Sequence, residues 1–162
     1  MGPVFDYPGA TFGDTTPGNY FDSGRYTVTG AGGKDVGAFT GAIDVPTAHF
    51  VWTNIPDITK LVDRTQDFVI KWTGGTPGTQ VVIAGSGLAN GVGTAFLCAA
   101  PVEAGQFAIP SYVLLMMPSA SASPITSGLT VENPVGALFT APGLDEGRVT
   151  YNDSYHLSLK FE

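Results

Sequence analysis

Cysteine is almost missing from this chain. Cys98 stands alone, so no internal disulfide can form and no thiolate cluster can hold zinc. Basic residues are nearly as scarce: seven Lys and Arg face fourteen Asp and Glu, a net charge of −7. Those seven cations are scattered, which argues against binding a phosphate backbone or an anionic lipid surface and predicts no nucleic-acid partner. Charge of either sign reaches only 13%, so Thr, Ser, Asn, Gly and Ala must cover much of the surface. Long apolar runs are absent as well. The longest, at residues 112–117, is far too short to span a bilayer, and no membrane insertion is expected. No leader pattern precedes the fold, since Met1-Gly2-Pro3 runs straight into turn-rich sequence. The favoured reading is a piece of a longer secreted chain, with a cytoplasmic protein as the alternative.

What is present points to strands. At 162 residues the chain suits one domain and can hide roughly two thirds of its unfolded surface. Its 22 Gly and 12 Pro punctuate short runs rich in Val, Ile, Phe and Tyr. Residues 1–24 mix Pro, Gly, Asp and aromatics without a period and read as an irregular segment packed on the domain. The sandwich itself is expected over 25–162, although one continuous domain over 1–162 is also consistent with the pattern. Residues 25–29 and 36–45 read as a hairpin with Phe39, Gly41, Ile43 and Val45 on one face. Further strands are expected at 49–53, 67–72 (Phe68, Ile70 and Trp72 inward), 80–84, 93–99, 106–109, 128–132, 136–140, 147–151 and 155–161. Only 111–117, bracketed by Pro110 and Pro118, suits a helix, of two turns at most, with Ser111 as its N-cap. Short strands separated by turns, with no amphipathic helix between them, predict an antiparallel immunoglobulin-like β-sandwich.

The segment VVIAGSGLANGVG, residues 81–93, imitates a dinucleotide-binding turn. That chemistry needs a helix whose N-terminal amides face the pyrophosphate. Here the would-be helix contains Asn90, Gly91 and Gly93, each unfavourable. The segment therefore reads as a loop between two antiparallel strands with Asn90-Gly91 as its tightest turn, and no cofactor is expected. Asp63, Asp67, Asp145 and Glu146 are the candidates for acid–base work, but turn positions explain them more simply. His49 and His156 lie far apart in sequence, each without a metal-ligand neighbour at a useful spacing. Cys98 alternates with apolar neighbours and reads as core. Calcium has one candidate loop, Asp14, Asn19 and Asp22, whose spacing is not that of an EF-hand. Sugar stacking would call on Trp52 with Tyr20 and Tyr151.

Several stretches together resemble a known group: RYTVTGAGGKDVGAFTGAIDVP, FVWTN, DR followed by FVIKWTGG, FLCAAPVEAGQFAIPSYVLLMMP, and FTAPGLDEGRV. They are similar to the C-terminal region of uncharacterised secreted proteins of soil bacteria, predicted to be immunoglobulin-like. The likeness covers residues 25–161. It implies a β-sandwich outside the cytoplasm, with upstream strands in a longer chain, and implies no reaction. The function expected is thus a non-enzymatic, secreted or surface-associated module with a structural, adhesive or protein-interaction role, its partner a protein or polysaccharide at the cell surface. The alternative is a carbohydrate-binding module. A third reading, a hydrolase, would need Asp63 and His49 or His156 gathered in one deep pocket.

Overall fold

Alternation of apolar and polar residues dominates this chain, and the computed structural model, which describes residues 21–58 and 60–162, turns nearly every alternating run into a strand. In order these are β1 (Gly24–Gly30), β2 (Phe39–Val45), β3 (Val51–Trp52), β4 (Leu61–Val62), β5 (Phe68–Thr73), β6 (Gln80–Ala89), β7 (Val92–Pro101), β8 (Gln106–Ile109), β9 (Gly128–Ala141), β10 (Leu144–Ser158) and β11 (Lys160–Phe161). Among the described residues one short helix, α1 (Ser111–Leu114), and two 3₁₀ turns complete them. The sheets are antiparallel except for the two-residue parallel pair β11–β4. The larger sheet has the order β10-β9-β6-β7, and a second has the order β3-β5-β8.

The two sheets share one apolar cluster. Val81 and Ile83 of β6, Leu129 and Val131 of β9, and Ala100 of β7 meet Trp52 of β3, Ile70 and Trp72 of β5, and Ile109 of β8. Phe50, Val62, Leu114, Leu159 and Phe161 close the same cluster, all fully buried. Each large apolar side chain buried this way contributes about 1.5–3 kcal/mol relative to exposure. Both indoles find partners for their N–H groups, as buried tryptophans must. Trp72 Nε1 donates to the Val102 carbonyl at 2.7 Å, and Trp52 Nε1 donates to Asn54 Oδ1 at 2.8 Å.

A second, smaller apolar layer lies at one end. The β9–β10 ribbon runs on past the last β6 partner, Glu132, to a turn after Ala141. The β1–β2 hairpin covers this extension. Phe39 stacks on Phe139 at 4.9 Å between centroids, Gly41 leaves space for the same ring, and the Gly37 N–H donates to the Pro142 carbonyl. Ile43, Val45 and Ala141 are buried there.

Several expected boundaries change. The 25–29/36–45 hairpin stands, its second strand starting at Phe39 with residues 39, 41, 43 and 45 on the inward face. Strand β6 does not stop at 84 but continues through Gly85 and Gly87. Only Asn90 and Gly91 turn, with φ of 52° and 76°, the two positive values a tight hairpin of right-handed twist requires. Strands expected at 128–132 and 136–140 are one, β9, because Pro134 falls where the β6 ladder has just ended and its missing N–H removes no bond from that side. Likewise 147–151 joins the start of 155–161: Asn152, Asp153 and Ser154, which look like turn residues, pair with Pro134, Asn133 and Glu132. The helix is capped by Asp67 rather than Ser111. Pro110 occupies the N-cap, and the Ser111 N–H donates to Asp67 Oδ1 at 2.7 Å.

Candidate interaction surface

Six consecutive apolar residues, 112–117, that begin on α1 and continue into the turn after it cannot all be hidden, because successive side chains diverge by about 100° in a helical turn. Leu114 and Met117 point into the shared core, with Val113 packed against it. Tyr112, Leu115 and Met116 consequently face solvent, at 69%, 55% and 70% exposure. The tip of the β6–β7 hairpin abuts the same end, since a Cβ on Gly87 would lie 3.2 Å from Met117 Cε and 3.4 Å from Pro118. Leu88 and Val92 at that tip are exposed as well. One end of the molecule thus presents large apolar side chains, flanked by the Arg64 guanidinium on the Met117 carbonyl and the Asp67 carboxylate on the Ser111 N–H. The run at 112–117 was the signal in the sequence. Read only as a short helix, it gave no sign of which side chains face outward.

At the junction of the two apolar layers lies a polar group the sequence did not assemble. His49 Nδ1 is 2.8 Å from the Tyr151 hydroxyl and 3.6 Å from Asp153 Oδ2. Asp153 also accepts the Tyr151 hydroxyl through Oδ1 and the Phe50 N–H at 3.0 Å through Oδ2. Tyr155 donates to the Phe50 carbonyl. Burial, then the hydrogen bond and charge of Asp153, push the Tyr151 hydroxyl well above the usual tyrosine range; burial and Asp153 push Tyr155 up too. These bonds fasten the chain around Phe50 onto β10. Nearby, Asn133 is 2% exposed, and its amide is fully used: Oδ1 accepts from Thr76 N–H, and Nδ2 donates to Thr79 Oγ1 and the Gln80 carbonyl.

The proposed sugar platform does not form as expected. Trp52 is 2% exposed, facing Trp72 across the β3–β5 pair, so neither ring face is free to stack on a pyranose. Tyr151 is half-buried in the polar junction, with Phe21 edge-on at 6.1 Å. Tyr20 lies outside the described residues. So do Asp14 and Asn19 of the candidate calcium loop. Asp22 is exposed, and its carbonyl accepts the Tyr26 hydroxyl. Among the described residues no three His, Cys, Asp or Glu side chains gather as a metal-binding group.

The acid–base candidates are dispersed. Asp63 turns back on Thr65, whose hydroxyl and N–H hold its carboxyl below the ordinary value. Asp67 caps α1, while Asp145 and Glu146 are exposed at a bulge in β10. His156 meets Thr130 on the outer face of the larger sheet, away from His49. Cys98 packs half-buried against the core, and burial raises its thiol pKa.

No family model, curated protein or solved structure matches the chain. The apolar end and the polar junction therefore rest on their own geometry.

Proposed function

We propose that this chain is a non-enzymatic β-sandwich module of immunoglobulin-like type that binds a protein partner through its apolar end. The single observation that carries the reading is the exposure of Tyr112, Leu115 and Met116 beside the tip of β6–β7. Large apolar side chains exposed together on one short segment mark interaction sites, and Tyr and Met are enriched in them. The side chains stand on α1 and the turn that follows it, anchored in the core through Leu114 and Met117, so little ordering entropy is lost on docking. A secreted or cell-surface setting and a structural or adhesive role belong to the same proposal. They rest on the resemblance of residues 25–161.

The test places a photo-crosslinking amino acid at position 116, and at position 156 as control, in the chain produced in its own organism. A discrete protein adduct from 116 and not from 156 is the expected result. Identical products from both positions, or none from 116, would sink the reading. A glycan array run in parallel addresses the carbohydrate-binding alternative, for which retained sugar would speak directly.

A further inference from the structure

The larger sheet ends on two strands of very different character. On one side β10 carries Asp145, Glu146, Arg148 and Asp153 and a register shift between Leu144 and Gly147. Charges and bulges of this kind are how sheets discourage edge pairing. On the other side β7, VGTAFLCAAP, is 10 residues long, contains no charged residue, and has proline only at its last position.

Hairpin geometry fixes which backbone groups of β7 are free. Asn90 and Gly91 form the whole turn, so Ala89 and Val92 close it as a hydrogen-bonded pair. Alternation then directs the amides and carbonyls of Val92, Thr94, Phe96, Cys98 and Ala100 to β6. Those of Gly93, Ala95, Leu97 and Ala99 point away from β6. All four of these residues are exposed, and β7 has no partner on that side among the described residues.

We infer that β7 pairs edge to edge with β7 of a second copy of this chain, antiparallel about a two-fold axis at Phe96. This register places Ala95 opposite Leu97 and Gly93 opposite Ala99, so each free N–H and C=O finds a partner. On the outer face a small residue stands against the one large exposed side chain, Leu97. On the inner face Phe96 meets Phe96, and Thr94 meets Cys98. Thr94 Oγ1, buried and without a hydrogen-bond partner among the described residues, gains a neighbour there. The self-complementary register selects the occupant, and charge permits it. Two chains of net charge −7 repel, and a homotypic contact brings no like charges together only where the contact strand has none, which holds for β7 and not for β10. The result is an isologous, closed dimer with the sheet continuous across the axis, centred on Phe96 and adjoining the apolar end of the proposed function at Val92, the first residue of β7.

Sedimentation equilibrium of the full chain tests this. The expected mass at high concentration is twice 16.8 kDa. Ala95→Pro removes one outward N–H without touching the β6 ladder, and Leu97→Lys places a charge on the edge at a side chain already 72% exposed. Both are expected to sediment as monomers with unchanged circular dichroism; if the proline variant misfolds, the lysine variant decides alone. Thr94→Cys fixes the register, because it is expected to link to Cys98 of the second copy on oxidation and to run as a dimer on a non-reducing gel. Adding Cys98→Ala abolishes that band. A monomeric mass for the native chain at every concentration, a dimer that survives Leu97→Lys, or a dimer that gives no link from Thr94→Cys overturns the inference.

Discussion

Single side chains hold the two halves of this molecule together, and Asn133 does so most economically. Its buried amide satisfies the Thr76 N–H, the Thr79 hydroxyl and the Gln80 carbonyl. Asn133→Ala strands these groups and is expected to cost about 2–4 kcal/mol, read as a fall in urea midpoint at constant m-value. A loss below about 0.5 kcal/mol, the noise of surface substitutions, would show that water replaces the amide. Tyr151 makes a pH prediction. Its folded pKa is raised above the ordinary tyrosine value of 10.0, so the unfolded chain releases the proton first as pH rises. The stability due to this group is therefore complete below about pH 10 and is lost above it. Urea denaturation between neutral and alkaline pH should show this decline, and Tyr151→Phe should flatten it. An unchanged slope in that variant would assign the alkaline loss elsewhere. None of these partnerships was legible in sequence. His49, Asn133 and Tyr151 come from segments far apart in the chain, and only the register of β9 with β10 brings two of them near the loop that carries the third.

Elements were more readable than partnerships, for a physical reason visible in where the reading failed. Alternation identified the inward faces of β2 and β5, because one face of each is buried and a slip of one residue would expose it. Breaks were misjudged at Gly85, Pro134 and Asn152, where residues that favour turns stand inside strands. At two of them a tertiary neighbour supplies what local propensity lacks: the Phe96 ring fills the space over Gly85, and the Asn152 amide bonds Glu132, whereas Pro134 is tolerated because the β6 ladder has already ended. Two glycines outside the strands separate conformation from crowding. Gly91 has φ +76° with open space around its Cα, whereas Gly74 has φ +71° and would drive a Cβ into the carbonyl of His49. Gly91→Ala is expected to cost only the left-handed penalty, about 1–2 kcal/mol. Gly74→Ala must also displace backbone and is expected to lose at least about 3 kcal/mol. Thermal melts of the pair decide this, and equal losses would mean that the chain around His49 yields freely.

At the scale of the whole molecule the two apolar layers differ in what secures them. The central strands β6 and β9 are paired on both sides and contribute Val81, Ile83, Leu129 and Val131 to the shared core. The β1–β2 hairpin pairs only with itself and rests on the β9–β10 extension through Phe39, Gly41 and Ile43, while Val28 stays half exposed. Opening the hairpin therefore exposes the small cluster and leaves the larger one intact, so it requires less free energy than global unfolding. Native-state hydrogen exchange should find the β1 amides that bond to β2 exchanging through a sub-global opening with a small denaturant dependence. The amides linking β6 to β9 should exchange only through global unfolding, with the full m-value. Phe139→Ala, which removes the ring that Phe39 stacks on, should accelerate exchange in β1 by more than in β6. Should β1 and β6 amides merge into one isotherm in the native chain, the two layers unfold as a single cooperative unit and the junction of His49, Tyr151, Asp153 and Asn133 is what couples them.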